Sequence, residues 1–352
     1  MRAHTGPLII GHRGACGYRP EHTAAAYELA FALGADAVEP DLVASKDGVL
    51  VLRHENEISG TTDVAEHPEF AAKRTTKEVD GAEVTGWFTE DFTWAELTTL
   101  RAKERLGGIR QASSTFDGRY PLLRLSDLFT IVERASDDAA RLLGIVAELK
   151  HATYFESIGL PLDELFASEL GEAGWFDNPG LVVESFEKTV LTRLHGRGFR
   201  GKRVYLLEDE GAPADRVARL GSTAPGYADD LTARGLYALA AAGPAERVDG
   251  ISVETGQVLA SGSVAVALFD DGDDVGAVTS DLVDTAHSAG LEVFCWTLRP
   301  ENGLLPAEFR RAEALDAQWG DWRRLFSIVL NSGVDGVFVD HPDLAVAVRD
   351  GR

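Results

Sequence analysis

Residues 333–340 read GVDGVFVD. This stretch decides between the two folds that the sequence allows, a (β/α)8 barrel and a doubly wound sheet. Residues 34–41 (GADAVEPD) and 248–254 (VDGISVE) share its pattern: an aspartate, a small residue and alternating strand residues that end in an acid. We interpret each copy as a helix end, a tight turn and a strand with the acid at its C-terminal tip. In a (β/α)8 barrel such tips form the active-site face, so the repeat favours a barrel over a doubly wound sheet.

The rest of the chain fits the same α/β pattern. Short apolar runs alternate with helical patterns such as 22–34 and 280–290, which both end in glycine. The candidate strands are 8–10, 37–43, 49–53, 144–149, 181–185, 204–207, 250–253, 291–296 and 336–339. That is one strand too many for the barrel. The SKDG connection (45–48) is too short for a helical crossover, so we assign 49–53 to an antiparallel hairpin and the other eight strands to the barrel.

One long stretch breaks this rhythm. Residues 56–120 contain glycine, threonine and acidic residues without a sustained period. Long connections of this kind are usually functional or separately folded. We therefore predict one TIM-barrel domain over 1–352, with 56–120 as an insertion beside the active-site mouth.

Composition excludes several classes of protein and partner. The 352 residues are 45% hydrophobic and 26% charged, as in an ordinary globular protein, which argues against disorder, collagen and coiled coil. With 34 basic and 57 acidic residues the net charge is −23, so we expect neither a nucleic-acid partner nor stable membrane association. The sequence says nothing about oligomeric state.

Two features bear on the compartment. The N-terminal apolar run is only four residues long (7–10), too short for a signal peptide, so the chain as given is predicted to be cytoplasmic, or exported if a leader has been removed. Cys16 and Cys295 are expected to be free thiols.

The densest group of reactive residues follows the first strand. His12, Arg13 and Gly14 lie at the predicted C-terminal face. An arginine there could bind a phosphate with two hydrogen bonds, and glycine lets the backbone approach closely. The alternative is an ordinary surface turn.

A pair of acids on the second strand indicates a metal site. Glu39 and Asp41 are two residues apart and leave the same face of the strand. Ca²⁺ or Mg²⁺ would relieve their repulsion through oxygen ligands, and a salt bridge is the alternative. The hairpin is predicted to place His54 opposite Glu39, where it could transfer a proton, or act only as a structural partner of a carboxylate.

The barrel strand at 144–149 adds a second charged pair. Glu148 and Lys150 end an otherwise apolar strand. Glu148 is the third candidate metal ligand, and Lys150 could neutralise a phosphate or hold Glu148. A simple internal ion pair is the alternative. Trp296 could offer an aromatic wall to a substrate, and Glu184 and Glu254 could lie behind the ligands.

The sequence lacks GxGxxG after a strand, a Walker loop, a GxSxG elbow, HExxH and the cysteine/histidine spacings typical of zinc sites. Hydride transfer, nucleotide hydrolysis by a phosphate-binding loop and serine hydrolysis are therefore disfavoured.

These motifs in order resemble the glycerophosphodiester phosphodiesterase family, in its longer and often exported bacterial form. The resemblance is carried by HRG (12–14), PEHT (20–23), EPD (39–41) and KDGVLVLRHE (46–55), then by AELK (147–150), ESF (184–186), CWT (295–297) and GVDGVFVDHPD (333–343). The insertion, with GTTDV and GWFTEDFTWAEL, resembles that of the longer members. The family usually has asparagine where His22 stands and aspartate where Glu55 stands.

The resemblance implies a barrel enzyme that hydrolyses small-molecule glycerophosphodiesters to an alcohol and glycerol 3-phosphate. It implies one divalent cation, Ca²⁺ or Mg²⁺, on Glu39, Asp41 and Glu148, with His12 and His54 as the acid–base pair. It makes Arg13 a phosphate ligand, and Glu21, Glu55, Lys150 and Trp296 orienting groups or substrate contacts. The alternatives are a related barrel phosphodiesterase for lysophospholipids or phosphoinositides, an unrelated barrel metalloenzyme and an inactive scaffold.

Overall fold

The predicted barrel is confirmed in the computed structural model, which describes residues 6–259 and 279–351. Its strands are β1 (Leu8–His12), β2 (Ala37–Glu39), β3 (Asp41–Ala44), β4 (Leu50–Leu52), β5 (Thr75–Val79), β6 (Ala82–Gly86), β7 (Gly144–Leu149), β8 (Leu181–Ser185), β9 (Lys202–Leu207), β10 (Gly250–Glu254), β11 (Glu292–Leu298) and β12 (Gly336–Val339). The sheet runs β2-β1-β12-β11-β10-β9-β8-β7-β3-β4, and β2 also pairs with β7, which closes it. Because Pro40 has no N–H, it interrupts the second barrel strand, which is divided into β2 and β3.

Helices connect most successive strands, and the longer ones pack against one another on the outside of the barrel. They are α1 (Ala24–Ala32), α2 (Trp94–Leu97), α3 (Gln111–Ser114), α4 (Leu125–Ala139), α5 (Ala152–Ser157), α6 (Leu162–Ala173), α7 (Lys188–Gly196), α8 (Ala214–Leu220), α9 (Tyr227–Asp230), α10 (Ala233–Ala241), α11 (Thr255–Val258), α12 (Leu282–Ala289), α13 (Trp322–Leu330) and α14 (Pro342–Arg349). Short 3₁₀ helices occur at Val64–Glu66, Pro68–Lys73, Thr89–Asp91, Gly221–Thr223, Asn302–Leu304 and Ala307–Phe309. Across 6–259 and 279–351, no helix is both long and apolar enough to cross a membrane.

Two apolar layers hold the barrel together. Inside it, a small cluster of strand residues fills the interior: Ile10, Ala37, Val146, Val204, Phe294 and Phe338. Outside it, opposite faces of the same strands pack against the helices in a second, larger cluster. Because both faces are buried, the strands read as continuous apolar runs, and charge is concentrated at their tips.

The hairpin after the second barrel strand exists, but its predicted register is wrong. Leu42 pairs with Leu52 and Ala44 with Leu50, so the same register places His54 opposite Pro40 and not opposite Glu39. The reason is the turn: Ser45 N–H donates to the Val49 carbonyl at 2.9 Å, which leaves a three-residue loop. Gly48 occupies its last position with φ +79°, as such loops require.

Residues 56–120 contain a small antiparallel sheet of β5 and β6, short 3₁₀ segments and short helices. Two parts of this stretch reach the C-terminal face of the barrel. The β5–β6 turn places Asp80 and Gly81 on the wall of a cavity there, and Arg105 and Arg110 enter the polar network described below.

Candidate active site

The register of the barrel brings charged residues together at one end. His12 is level with Glu39 on the neighbouring strand, Asp41 is level with Glu148, and Glu148 is level with Glu184. Each of these residues lies at or next to the tip of a parallel strand. A cavity of about 250 Å³ opens among them, and its wall includes His12, Arg13, Glu39, His54, Glu148, Lys150, Glu184 and Trp296.

His12 is held from behind by the acid at the tip of the last barrel strand, a contact that the sequence did not predict. Its Nδ1 lies 2.6 Å from Oδ1 of Asp340, the residue that follows β12, and its Nε2 lies 3.8 Å from Oε2 of Glu39. Burial, with the charge of Arg13, lowers the pKa of His12 to about 4. Although burial alone would raise the pKa of Asp340, Arg110 and Arg299 hold it well below its usual range.

His54 has a matching arrangement. Its Nδ1 lies 2.5 Å from Oε1 of Glu55, and Arg105 donates to both oxygens of that carboxylate. Burial, and then the charge of Lys150, lowers the pKa of His54 to about 3. In both histidines Nδ1 is the nitrogen within hydrogen-bond distance of a carboxylate, which leaves Nε2 as the nitrogen available for proton transfer.

Three glutamates form a group that could hold a metal ion. Oxygen atoms of Glu39, Glu148 and Glu184 lie within 4.8 Å of one another, and all three side chains are buried. Burial raises the pKa of each, that of Glu148 to about 8. Crowded carboxyls of this kind repel one another unless protons or a cation neutralise them.

Asp41 lies beside this group and is completely buried. Its Oδ2 lies 2.9 Å from His22 Nε2 and 3.3 Å from Arg13 Nε, and its Oδ1 lies 3.4 Å from Lys150 Nζ. Although burial opposes ionisation, Lys150 and His54 hold the pKa of Asp41 well below its usual range. Asp41 therefore lies against the cations of the site, whereas Glu39, Glu148 and Glu184 crowd one another.

The residues present fit a hard divalent cation. Within the described chain, Asp41 Oδ1, Glu148 Oε1 and Glu184 Oε2 are buried and have no hydrogen-bond partner. Buried polar atoms are normally satisfied, so the unpartnered oxygens of Glu148 and Glu184, which form one group with Glu39, are the pattern expected of ligand atoms, while Asp41 Oδ1 lies 3.4 Å from Lys150 Nζ. Oxygen-only donors favour Ca²⁺ or Mg²⁺ over softer metals.

The cationic side chains of the site, Arg13 and Lys150, contact acidic residues around the cavity. Arg13 donates its backbone N–H to Glu39 Oε2 at 3.0 Å, and its guanidinium donates to Glu21 at 3.1 Å. Lys150 Nζ lies 2.7 Å from Glu148 Oε2, so the internal Glu–Lys pair considered above is present. Gly14 has φ +88°, and a Cβ there would lie 2.6 Å from the Ala26 backbone, which explains the need for glycine.

His22 occupies a left-handed backbone position, with φ +55°. Asparagine is among the residues that most readily adopt this conformation, which gives a physical reason for the family preference noted above. Here His22 links Asp41 to the Tyr27 hydroxyl, 2.7 Å from its Nδ1.

A second cavity of about 810 Å³ adjoins the first. The two share His54, Glu148, Lys150, Phe186 and Trp296 in their walls. Trp296 packs edge-on against Phe186 at 5.8 Å between ring centroids, and its buried Nε1 has no partner within the described residues. A ligand in the inner cavity can therefore extend outward past an aromatic wall and an unused N–H donor.

Most of the sequence-predicted site residues meet here. His12, His54, Arg13, Lys150, Trp296, Glu39 and Glu148 line the inner cavity, and Glu55 lines the outer one. Asp41 and Glu21 lie behind the wall, against Arg13. Sequence reasoning placed Asp340 at a strand tip on the active-site face but gave it no role, it missed the place of Glu184 beside Glu39 and Glu148, and it missed Arg105 and Arg110 altogether. An acid at the tip of an apolar strand was the available signal for Asp340, whereas the arginines had none.

Cys16 is buried beside His12. Its Sγ lies 4.0 Å from His12 Nδ1, near Asp340, but burial raises its pKa well above the usual value. Both cysteines are free, as predicted, and both are buried.

The fold and the site together define a (β/α)8-barrel enzyme with two histidines and a carboxylate group at the strand tips. The sequence profile of the Glycerophosphoryl diester phosphodiesterase family matches residues 12–344, and the chain belongs to this family. It is accordingly a phosphoric diester hydrolase that acts on glycerophosphodiesters.

Individual relatives agree along nearly the whole chain. A glycerophosphodiester phosphodiesterase of Arabidopsis thaliana is 30% identical over 95% of this chain and 83% of its own length. One from Haemophilus influenzae is 25% identical over 98% of this chain and 90% of its own. Among solved structures, a glycerophosphoryl diester phosphodiesterase from Silicibacter pomeroyi superposes with a TM-score of 0.66 at 20% identity, covering 99% of this chain and 95% of that one.

A phosphodiesterase from Oleispira antarctica, solved in complex with the product sn-glycerol-3-phosphate, superposes with a TM-score of 0.57 at 20% identity. The match covers 98% of this chain and 97% of that one. At this identity the likeness supports the fold.

Proposed function

We propose that this enzyme hydrolyses glycerophosphodiesters to an alcohol and sn-glycerol 3-phosphate with one bound divalent cation, Ca²⁺ or Mg²⁺, and with His12 and His54 as the proton-transfer pair. The observation that carries the proposal is the shared inner cavity, where both histidines face the glutamate group and Arg13.

The proposed ligands of the cation are Glu39, Asp41 and Glu148, with Glu184 as a further candidate. When bound, the cation would offset negative charge on the phosphate oxygens and polarise the phosphorus centre. Arg13 would also stabilise the negative charge on the phosphate oxygens. Its ion pairs with Glu21 and Asp41 hold its guanidinium in place. Lys150 keeps Glu148 and Asp41 oriented.

The two histidines are proposed to move the protons. Each has Nδ1 directed to a carboxylate, so Nε2 serves the substrate. One Nε2 accepts the proton of the attacking hydroxyl, which belongs to water or to the substrate's own 2-hydroxyl group. The other histidine takes up a proton from solvent at Nε2 before this step and donates it to the oxygen of the leaving alcohol. The leaving alcohol would lie toward the outer cavity, along Trp296 and Phe186.

The test is release of glycerol 3-phosphate from glycerophosphocholine by chelated protein, with Ca²⁺ or Mg²⁺ added back. Metal-restored activity that is lost in Glu39→Ala, His12→Ala and His54→Ala would support the proposal. Full activity in the presence of chelator, or in either histidine variant, would overturn it. Lysophosphatidylcholine in a parallel assay separates this substrate class from the lipid alternative.

A further inference from the structure

We propose that the 56–120 segment positions both proton-transfer histidines, through two arginines that lie five residues apart, Arg105 and Arg110. This inference rests on the proposed function, because it concerns the histidines that the proposal uses. It assigns to the segment a role in the geometry of the reaction centre, in addition to its place at the mouth.

Arg105 is connected to His54 through the carboxylate of Glu55. Its guanidinium donates to both oxygens of Glu55, at 2.7 and 2.6 Å, and to both oxygens of Glu21, at 2.8 Å each. The Oε1 atom of Glu55 in turn lies 2.5 Å from His54 Nδ1. A planar guanidinium that grips two carboxylates leaves neither of them free to rotate.

Arg110 is connected to His12 in the same manner, through the carboxylate of Asp340. Its Nη2 donates to Oδ2 of Asp340, while Oδ1 of that carboxylate faces His12 Nδ1 at 2.6 Å. Its Nε donates to Glu301 at 2.7 Å and its Nη1 to the Cys16 carbonyl at 3.2 Å, so the buried guanidinium is fixed on three sides.

The two chains of contacts therefore have the same order: a histidine, a carboxylate and an arginine from the inserted segment. A carboxylate at Nδ1 keeps the proton on that nitrogen and leaves the Nε2 lone pair toward the cavity. Partners of this kind, one contact removed from the reacting atoms, typically change activity or metal affinity by about 10- to 100-fold when they are removed.

The segment that carries the arginines is braced by its own hydrogen bonds. Glu104 accepts from Leu106 N–H at 2.8 Å and from the Ser113 hydroxyl at 2.6 Å. Arg110 N–H donates to the Leu106 carbonyl at 2.7 Å. These bonds fix the backbone between the two arginines and hence the spacing at which both side chains reach the barrel.

Removal of the two arginines should have different effects if they form ordinary salt bridges than if they position the histidines. If the arginines only hold the segment against the barrel, their removal lowers stability and leaves the histidine rings unchanged. If they position the histidines, removal lowers kcat more than it changes KM, and the ring nitrogens of the affected histidine change their protonation pattern.

The test uses the full chain with its divalent cation. Arg105→Ala and Arg110→Lys are compared with Lys103→Gln, a matched control that removes an exposed ion pair to Glu66 in the same segment. We expect kcat for glycerophosphocholine to fall about tenfold or more in both arginine variants, and to stay within twofold in the control. Added guanidinium ion should restore part of the activity of Arg105→Ala.

A ¹⁵N spectrum of the histidine side chains gives the second readout, which needs no turnover. Arg105→Ala should turn the single Nδ1–H form of His54 into a mixture and leave His12 unchanged, and Arg110→Lys should do the reverse. Arginine variants with kcat within twofold of the parent and unchanged ¹⁵N patterns would overturn this inference. If His12→Ala and His54→Ala also keep their activity, the proposed function is what fails.

Discussion

Asp340 Oδ1 lies 2.6 Å from His12 Nδ1, a contact that joins the C-terminal ends of the last and first strands of the barrel. The two residues are 328 positions apart in sequence, and they meet because β12 pairs with β1. The other oxygen of Asp340 accepts from Arg110 and from Arg299, so the carboxylate has no freedom to leave the histidine. The closure of the barrel is thereby coupled to the orientation of one proton-transfer group.

Asp340→Asn should reduce kcat for glycerophosphocholine by about 10²- to 10⁴-fold, because an amide can donate to Nδ1 and stabilise the wrong tautomer of His12. Steady-state kinetics on folded protein, checked by circular dichroism, would measure the change. Asp343→Asn is the matched control, since Asp343 accepts from the Tyr18 hydroxyl and is not part of the His12 contact. A kcat within threefold of the parent enzyme would contradict the positioning of His12 by Asp340.

Glu184→Gln should weaken the binding of Ca²⁺ or Mg²⁺ by about tenfold or more, because it removes one charged oxygen donor from the group with Glu39 and Glu148. Isothermal titration calorimetry on chelated protein measures the affinity directly. Glu254→Gln, at a strand tip outside that group, should bind the ion as the parent does. Equal affinities in the two variants would place Glu184 outside the ligand set.

Trp296→Phe should raise KM for glycerophosphocholine by about 2- to 12-fold with a smaller effect on kcat, the range expected for the loss of one hydrogen bond. The substitution keeps an aromatic ring against Phe186 but removes the buried, unpartnered Nε1 donor of a residue that lines both cavities. Initial rates over a range of substrate concentrations separate the two parameters. Trp319→Phe is a suitable control, because Trp319 is partly exposed and packs on Trp322 instead. An unchanged KM would show that the indole N–H makes no contact with substrate.

Much of the fold could be predicted because its signals are local. Each barrel strand is an apolar run, and the charges that break the pattern stand at the strand tips, where Glu39, Glu148 and Asp340 are found. The position of charged residues at strand tips also predicted most of the residues that line the inner cavity.

The predicted register of the hairpin was wrong because it depends on whether the turn has two or three residues. SKDG is compatible with both, and only the backbone of Gly48 decides.

The parts that could not be predicted depend on contacts across the fold. Arg105 and Arg110 lie in a segment without periodicity, and their partners are 50 or more positions away in sequence. Nothing local distinguishes them from the other arginines of the chain. Their role follows only from the tertiary structure, which brings the segment to the carboxylates behind His54 and His12.

The stability of the barrel should depend on pH through Glu169, on α6. Its Oε1 accepts from the N–H of Leu50 on β4 at 3.0 Å, and burial raises its pKa to about 7. A raised pKa in the folded state means that the contribution of Glu169 is fully present below about pH 4.5, the value of an exposed glutamate, and is lost as the pH rises through 7. Glu169→Gln keeps an oxygen acceptor but cannot ionise.

We therefore expect the difference in melting temperature between this variant and the parent to increase steadily between pH 5 and pH 8. Thermal unfolding in a series of buffers measures it, with Glu172→Gln, an exposed position on the same helix, showing no such trend. A difference that stays constant with pH would show that Glu169 is equally easy to ionise in the folded and unfolded chains.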